Sequence, residues 1–542
     1  MASTLLSPGV AVIEKDLTQG SIETVEINTG AIAGVFERGP IGVPTRISTE
    51  AELLEVFGRP NNSNYEYWWT ASSFLQYGGV LEVVRALTGV TNANASSTAS
   101  LLIDNKDKYE SAYSGGSQAW EWAAKSAGSQ GNSLKVAVVD AGADQILTLA
   151  SAPTTTAVGT QIANGSATKT ARIYSWDSTT KKLAIINETG GEFTVSDTVE
   201  NGATDIAVSS ATSWYEQQSV FTGLLWNNVA DRPGTSPYAA ERGGSRDEMH
   251  VIVYDADGKI TGTPLTVLER YTYLSKASNA KLPEGGTNYY VDVLTEKSSW
   301  IYWGKHEETS YDVSANGGTT TLTNTGGGAD VDFDIIGATQ YTFGAGTDDY
   351  AATQAEIEFA YDYFSDTENL QVDFLIMGPG GATISESKAK ATKLIDLAAS
   401  KKTCIAFVSP HKGNVVGVAS STDQTNNVLS FYSTLSSTSY AVFDSGYKYI
   451  YDRFNDVYRW VPCNGDTAGL CASVTAAGDP WFSPAGLNRG NLRNAIKLAY
   501  SPKKSERDRL YQKRINPITS IPGQGIVLFG DKTALATPSA FD

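Results

Sequence analysis

Cysteine and histidine are nearly absent from this 542-residue chain, with three of each. Cys404, Cys463 and Cys471 are odd in number and sparse. They build no disulfide framework and fit a protein made in a reducing cytoplasm. His250, His306 and His411 are scattered, and no CxxC, HxH or HExxH spacing occurs, so metal binding has little support. No apolar run reaches the ~18 residues that a membrane-spanning helix needs. The opening MASTLLSPGVAVIEKD lacks a basic n-region and a long apolar stretch, and so does not read as a secretory signal. Positive charge is also in deficit. Lys and Arg number 41 against 59 Asp and Glu, for a net charge of −18. Such a balance argues against nucleic-acid binding, which needs basic surface to displace counterions.

What is present is globular: 41% hydrophobic and 10% aromatic residues, in a length that suits three or four domains. The charge is uneven. Residues 487–514 hold nine basic groups (Arg489, Arg493, Lys497, Lys503, Lys504, Arg507, Arg509, Lys513, Arg514) and two acidic ones (Glu506, Asp508), so this segment is +7 and the remainder −25. A basic patch on an acidic protein suits an acidic partner. The competing reading is a solvated helix face.

The pattern along the chain predicts an α+β multidomain protein. Val10-Ala11-Val12-Ile13 is a short apolar strand with no local hairpin partner, so residues 1–20 read as an arm whose strand must find an edge, in its own domain or in a neighbouring subunit. Thr49-Glu50-Ala51-Glu52 is a capping box that opens a helix ending at Gly58. Tyr65 to Gln76 has aromatics at helical spacing, and a further helix is expected near Trp120–Ala127. Gly131 to Val136 enters a strand. Residues 141–215 change character: short alternating runs at Ile146–Leu149, Ala171–Tyr174, Lys182–Ile186 and Glu192–Val195 are split by turn signals. This predicts a small antiparallel barrel or sandwich, inserted and facing outward. Strands are expected at Met249–Tyr254 and Pro264–Tyr271, and a loop or linker at 316–330. The clearest α/β unit is helix Gln354–Phe364, strand Val372–Met377, helix Ile384–Ala399 and strand Cys404–Val408, a parallel pair with a right-handed crossover.

Several motifs approach known chemistry and stop short. Gly378-Pro379-Gly380-Gly381 lies between a strand and a helix, where phosphates bind, but Thr383 replaces the third glycine of GxGxxG and Pro379 lacks an N–H. Gly525 to Thr533 nearly spells a Walker loop, yet Asp531 precedes the lysine and Ile526-Val527-Leu528-Phe529 reads as a buried strand. Asp255-Ala256-Asp257-Gly258 starts like a calcium loop, but no glutamate stands at the twelfth position. No serine has a GxSxG setting. No cofactor is expected.

The two ends of the chain carry ordered motifs. Near the C-terminus are Tyr447-Lys448-Tyr449, Asp452, Asn455-Asp456-Val457, Ala468-Gly469-Leu470, Ser483-Pro484-Ala485-Gly486, Asn488-Arg489-Gly490, Ile515-Asn516-Pro517 and Gly530-Asp531-Lys532-Thr533. Near the N-terminus are Ser7-Pro8-Gly9-Val10, Gly39-Pro40, Phe57-Gly58, Phe74 to Gly79 and Val83-Val84-Arg85-Ala86. Together they cover roughly half of the chain and resemble the contractile tail sheath proteins of myovirus-type bacteriophages. In that family the chain continues beyond the position of Asp542, so the expectation is that the C-terminal continuation linking subunits is missing here.

The resemblance implies a structural subunit, not an enzyme. Copies polymerise as helical rings around a tail tube and contract to drive the tube through the host envelope. Implied partners are further copies, the tail tube protein, and baseplate and tail terminator proteins, with no nucleic acid and no membrane insertion. The implied location is the virion tail, after assembly in the host cytoplasm. The implied architecture is an α/β core formed by both chain ends, a discontinuous middle domain and an inserted β domain. The boundaries expected are 1–20 for the linking arm, 21–140 with 216–345 for the middle, 141–215 for the insert and 346–542 for the tube-facing core. Val10, Ala11, Val12 and Ile13 become the inter-subunit arm, and Arg489, Arg493, Lys497, Lys503, Lys504 and Arg507 the tube-facing patch. Two alternatives stay open: an adhesin that uses the 141–215 insert, and a nucleotide-dependent enzyme that uses the 372–408 unit.

Overall fold

The computed structural model describes residues 28–200, 205–306 and 331–537. The expected arm strand Val10–Ile13 and the 316–330 linker lie outside these residues. The organising element is a seven-stranded sheet in the order Thr45–Ile47, Val80–Arg85, Thr29–Gly34, Phe374–Ile376, Ile405–Val408, Ala441–Asp444, Ile515–Asn516. All neighbours are parallel except the first pair. Parallel strands are covered on both faces and so read as unbroken apolar runs, as Phe374-Leu375-Ile376 and Ala406-Phe407-Val408 do. The pleat sends Ala31, Ala33, Leu375, Ala406 and Val408 into one core. It sends Ile32, Phe374, Ile376 and Phe407 into a second core on the opposite face.

The grouping of residues 21–140 with 216–345 differs from what pairs in the structure. Strands between Thr29 and Arg85 join Phe374–Ile376 and not the middle of the chain. Their apolar strands need cover on both faces, and the C-terminal helices supply half of it. Helices α1 (Glu50–Phe57) and α2 (Tyr65–Leu75) follow the sequence expectation, with Thr49 capping α1. Leu53, Phe57, Trp68, Trp69 and Phe74 build the second core.

The middle of the chain forms its own antiparallel sheet in the order Thr266–Ser275, Glu248–Asp255, Leu134–Asp140, Ala338–Thr342. Around it lie α3 (Lys106–Ala112), the short α4 (Pro237–Ala240) and α5 (Tyr290–Lys297). The helix expected near Trp120–Ala127 is instead a strand, Trp122–Ala124, antiparallel to Ile301–Trp303. Its side chains alternate between two cores: Trp122 and Ala124 enter one, Ala123 the other. Pairing with a distant strand sets period two here, and each side chain finds a core on its own side of the strand.

Residues 145–213 close into a six-stranded barrel around Leu147, Ile162, Ile173, Leu183, Ile185 and Val208. The strand expected at Glu192–Val195 is not one. Phe193 turns inward there, held by Gln145 through both amide atoms, and the strand comes later at Thr198–Glu200. Before the barrel the chain leaves Asp140, and after it the chain returns at Met249. These two residues are cross-strand partners.

The C-terminal half supplies α6 (Gln354–Asp362), α7 (Ile384–Lys401), α8 (Ser421–Tyr432), α9 (Asn464–Ala477) and α10 (Lys504–Gln512). The first three and α10 cover the first core face through Ile357, Leu394, Phe431 and Leu510. α9 covers the second face through Ala468 and Ala472. The parallel strand pair flanking α7 is as the sequence predicts.

Where the chain turns into the barrel, Gly142 has φ +55°, and a Cβ there would lie 2.0 Å from the Trp214 ring. Gly142→Ala should therefore lower stability by about 1–3 kcal/mol. Urea unfolding followed by tryptophan fluorescence checks this.

Candidate functional site

A buried polar centre in the C-terminal half determines the shape of the surface above it. Lys448 and Asp466 are fully buried and paired at 2.8 Å. The Tyr77 hydroxyl donates to the same carboxylate oxygen at 3.0 Å and accepts from the Arg493 backbone N–H at 2.8 Å. Lys448 also donates to the Arg493 carbonyl at 3.0 Å. The end of α2, the strand Tyr447–Asp452, α9 and the loop near Arg493 thus meet at one point. α9 comes this close because of Gly469, where a Cβ would be 2.3 Å from the Tyr77 ring. Burial pushes the Asp466 carboxyl up against the pull of Lys448. Burial, then the Asp466 charge, drives the Tyr77 hydroxyl far above its usual range.

A second buried carboxylate lies nearby. Asp444 accepts from the Ser409 hydroxyl at 2.5 Å and from the Gly446 N–H at 2.9 Å. Burial is the main cause that pushes it up to about 8, and the Asp466 charge adds to this. Ser409 in turn accepts from Asn464, whose amide brackets Gly378 from both sides. The Gly378–Gly381 turn therefore has its first N–H engaged by a side chain. The strand-to-helix junction is tied to α9 instead of being open to a phosphate.

Ser387 Oγ and His411 Nδ1 are 2.9 Å apart, but Ser387 is fully buried and also bonds the Thr383 carbonyl. That pair secures a turn and presents no accessible nucleophile. In the near-Walker stretch, Gly525–Leu528 is a strand, and Asp531 bonds Ser483 and Tyr511. Among the described residues, no group of three or more His, Cys, Asp or Glu side chains could hold a metal ion.

Above the buried centre the surface is apolar and basic. A cavity of about 490 Å³ opens over α9, with Tyr77, Leu470, Val474 and Phe482 in its walls and Arg489 and Arg493 at its edge. Beside it stand Trp481, 76% exposed, and Ile496, 54% exposed. The adjoining hairpin carries Tyr449 stacked on Tyr458, with Trp460 alongside.

The six basic residues singled out from the sequence do not share one helix face. Only Lys504–Gln512 of that segment is helical. Arg489 lies over Phe482 and Arg493 over Tyr77 at the cavity. Lys497 lies over Tyr449 and Trp460. Lys503 precedes α10 and Lys504 opens it; both are exposed, and Arg507 packs over Phe529. The exposed aromatics were missed in the sequence. Their signal was Pro480-Trp481-Phe482-Ser483-Pro484, an aromatic pair between two prolines with no periodic apolar face around it.

Residues 344–534 match the family described as phage tail sheath protein central domain. The tail sheath protein of Vibrio phage KVP40 is 30% identical over an alignment of 591 positions, covering 99% of this chain and 84% of that protein. The tail sheath protein of Enterobacteria phage T4 is 28% identical over 597 positions, covering 99% and 83%. Among solved structures, a sheath tail protein from Listeria innocua is matched over 95% of this chain and 70% of that one, at 9% identity and a TM-score of 0.45.

Lys448→Met leaves Asp466 buried without its counter-charge and should cost about 3–5 kcal/mol in chemical denaturation. Asp444 gives a pH signature. Its folded-state value lies above the ordinary carboxylate value near 4, so the folded state binds the extra proton between about 4 and about 8. Its contribution to stability is complete below that window and is lost as pH rises through it. Unfolding free energies from pH 5 to 8 should therefore fall less steeply in Asp444→Asn than in the parent.

Proposed function

The chain belongs to the tail sheath protein family of bacteriophages, and from that premise we propose how its surfaces serve a contractile tail. It is a structural subunit of the contractile sheath. The observation that carries this is the 30% identity to a named tail sheath protein along 99% of the chain, barrel included. The adhesin alternative finds no support there, because the whole length, and not the remainder without the barrel, follows the sheath relatives.

On this reading many copies stack as helical rings around the tail tube, starting from the baseplate and ending at a terminator. Subunits wait in the host cytoplasm and end in the virion tail. Contraction draws on a difference in packing between two arrangements of the same subunits. No catalytic site is needed on this reading.

The core unit comprises residues 28–86 together with 346–537. The middle sheet forms a second unit and the barrel an outward-facing third. The arm Val10–Ile13 adds as a strand to a neighbour. The strand Val457–Pro462 is an edge that suits it, since among the described residues no strand pairs with its outer side. The tube-facing role falls to α10 and its N-terminus, where Lys503 and Lys504 are exposed and Arg507 lies beside them, apart from the cavity that Arg489 and Arg493 line.

Purified chain at high concentration should give hollow striated cylinders by electron microscopy. Compact closed oligomers would send the reading back to the alternatives. Reversing charge at Lys503 and Lys504, both exposed, should abolish assembly on tubes while circular dichroism and melting stay unchanged. Unaltered assembly refutes the tube-facing assignment.

A further inference from the structure

Two surfaces of this chain are opposite in charge, one a projecting aromatic pair and the other a cavity. One is a ridge on α6. Ile357, Ala360 and Tyr361 turn one side of that helix into the core. Phe359 lies off that side, 56% exposed, and meets Tyr363 edge to face at 5.5 Å between ring centroids. An aromatic pair held out in water by a packed helix is the kind of anchor that dominates protein interfaces. Residues 354–368 around it hold five acidic side chains (Glu356, Glu358, Asp362, Asp366, Glu368) and no Lys or Arg. Lys393 neutralises one of them, Asp362, at 2.6 Å, so the ridge stays acidic.

The other surface is the cavity over α9. Its walls mix apolar residues (Leu470, Val474, Phe482, Leu492) with the neutral polar Ser473, Asn488 and Asn491, Arg489 and Arg493 give it positive charge, and no carboxylate lines it. A space of about 490 Å³ has room for two aromatic side chains.

We infer that the Phe359–Tyr363 ridge of one subunit seats in the Arg489–Arg493 cavity of a neighbouring copy of the same chain. The inference rests on the sheath reading and names the contact that this surface makes. The fold excludes the intramolecular version. α6 packs on the sheet face that holds Ala31 and Leu375, whereas α9 packs on the face that holds Ile32 and Phe374. A subunit therefore offers its ridge on one side and its cavity on the other. A contact between two unlike surfaces is heterologous. Repeated from copy to copy it builds a ring or an open helix instead of closing as a two-fold dimer. The pairing of acidic ridge with basic edge also fixes which end meets which.

The test places a photoreactive benzophenone amino acid at position 359 of the full chain, lets it assemble, irradiates it and maps the adducts by mass spectrometry. Adducts should fall within residues 470–493 of another copy. Their yield should drop about tenfold or more with Arg489→Glu and Arg493→Glu, the equivalent of losing one interfacial ion pair. Polymers whose adducts fall elsewhere, on residues 1–27 or on the tube, overturn the inference and leave the sheath reading standing. So do polymers with no adduct. A chain that forms neither polymers nor cross-linked dimers overturns both.

Discussion

The pairing of Gly30 with Phe374 and Ala31 with Leu375 is the constraint on which the core depends. It joins segments 344 residues apart, and the Thr29 N–H reaches the Asp373 carboxylate at 2.8 Å beside it. Without it, neither half has a complete sheet and neither core has two walls. A slip of one residue would send Ile32 into the space shaped for Ala31 and Ala33. The entropy of closing so long a loop grows only logarithmically, by about 0.6 kcal/mol for each doubling. The chain can therefore carry whole folded units between the two segments, provided each unit buries its own apolar surface. The barrel and the middle sheet both do so.

The buried Lys448–Asp466–Tyr77 centre is a second tie between the chain ends, and it acts differently. Apolar replacements of a buried ion pair are often no less stable, so net stability is a poor reason for such a group. What the centre does here is geometric. Its hydrogen bonds hold α9, the end of α2 and the Arg493 backbone in one arrangement. The cavity mouth is made from those same elements. A core feature thereby sets the position of an exposed basic edge, and the inside of the molecule limits how far its binding surface can drift.

Local signals read well from the sequence. Thr49 caps the helix that follows it, the α7 crossover joins parallel strands, and the Thr/Ser-rich tract is a closed barrel. These features depend on neighbours in the chain. The signals that misled came from segments decided by distant partners. Trp122 reads as a helical aromatic until Ile301–Trp303 pairs with it. Residues 28–86 read as part of the middle until their sheet finds Phe374. The candidate surface was legible in its charge but not in its shape. Nine basic residues within 28 positions are visible in the sequence. Their division between a cavity edge, an aromatic hairpin and α10 depends on packing from elsewhere.

The barrel leaves and rejoins the middle sheet at one rung, where Asp140 faces Met249. An exchange confined to residues 145–213 leaves that register untouched, whereas Trp214, Val220 and Trp226 just beyond it pack with Ala137, Val139, Ile252 and Tyr254 of the middle sheet and have to stay. A unit joined to its host at so narrow a place can change in length or sequence without moving the strands on either side. Mutational pressure divides along the same line. Substitutions at Leu147, Ile173 or Val208 are judged by the barrel's own interior, whereas Ala184 and Ile186 also answer to the unit on which the barrel sits.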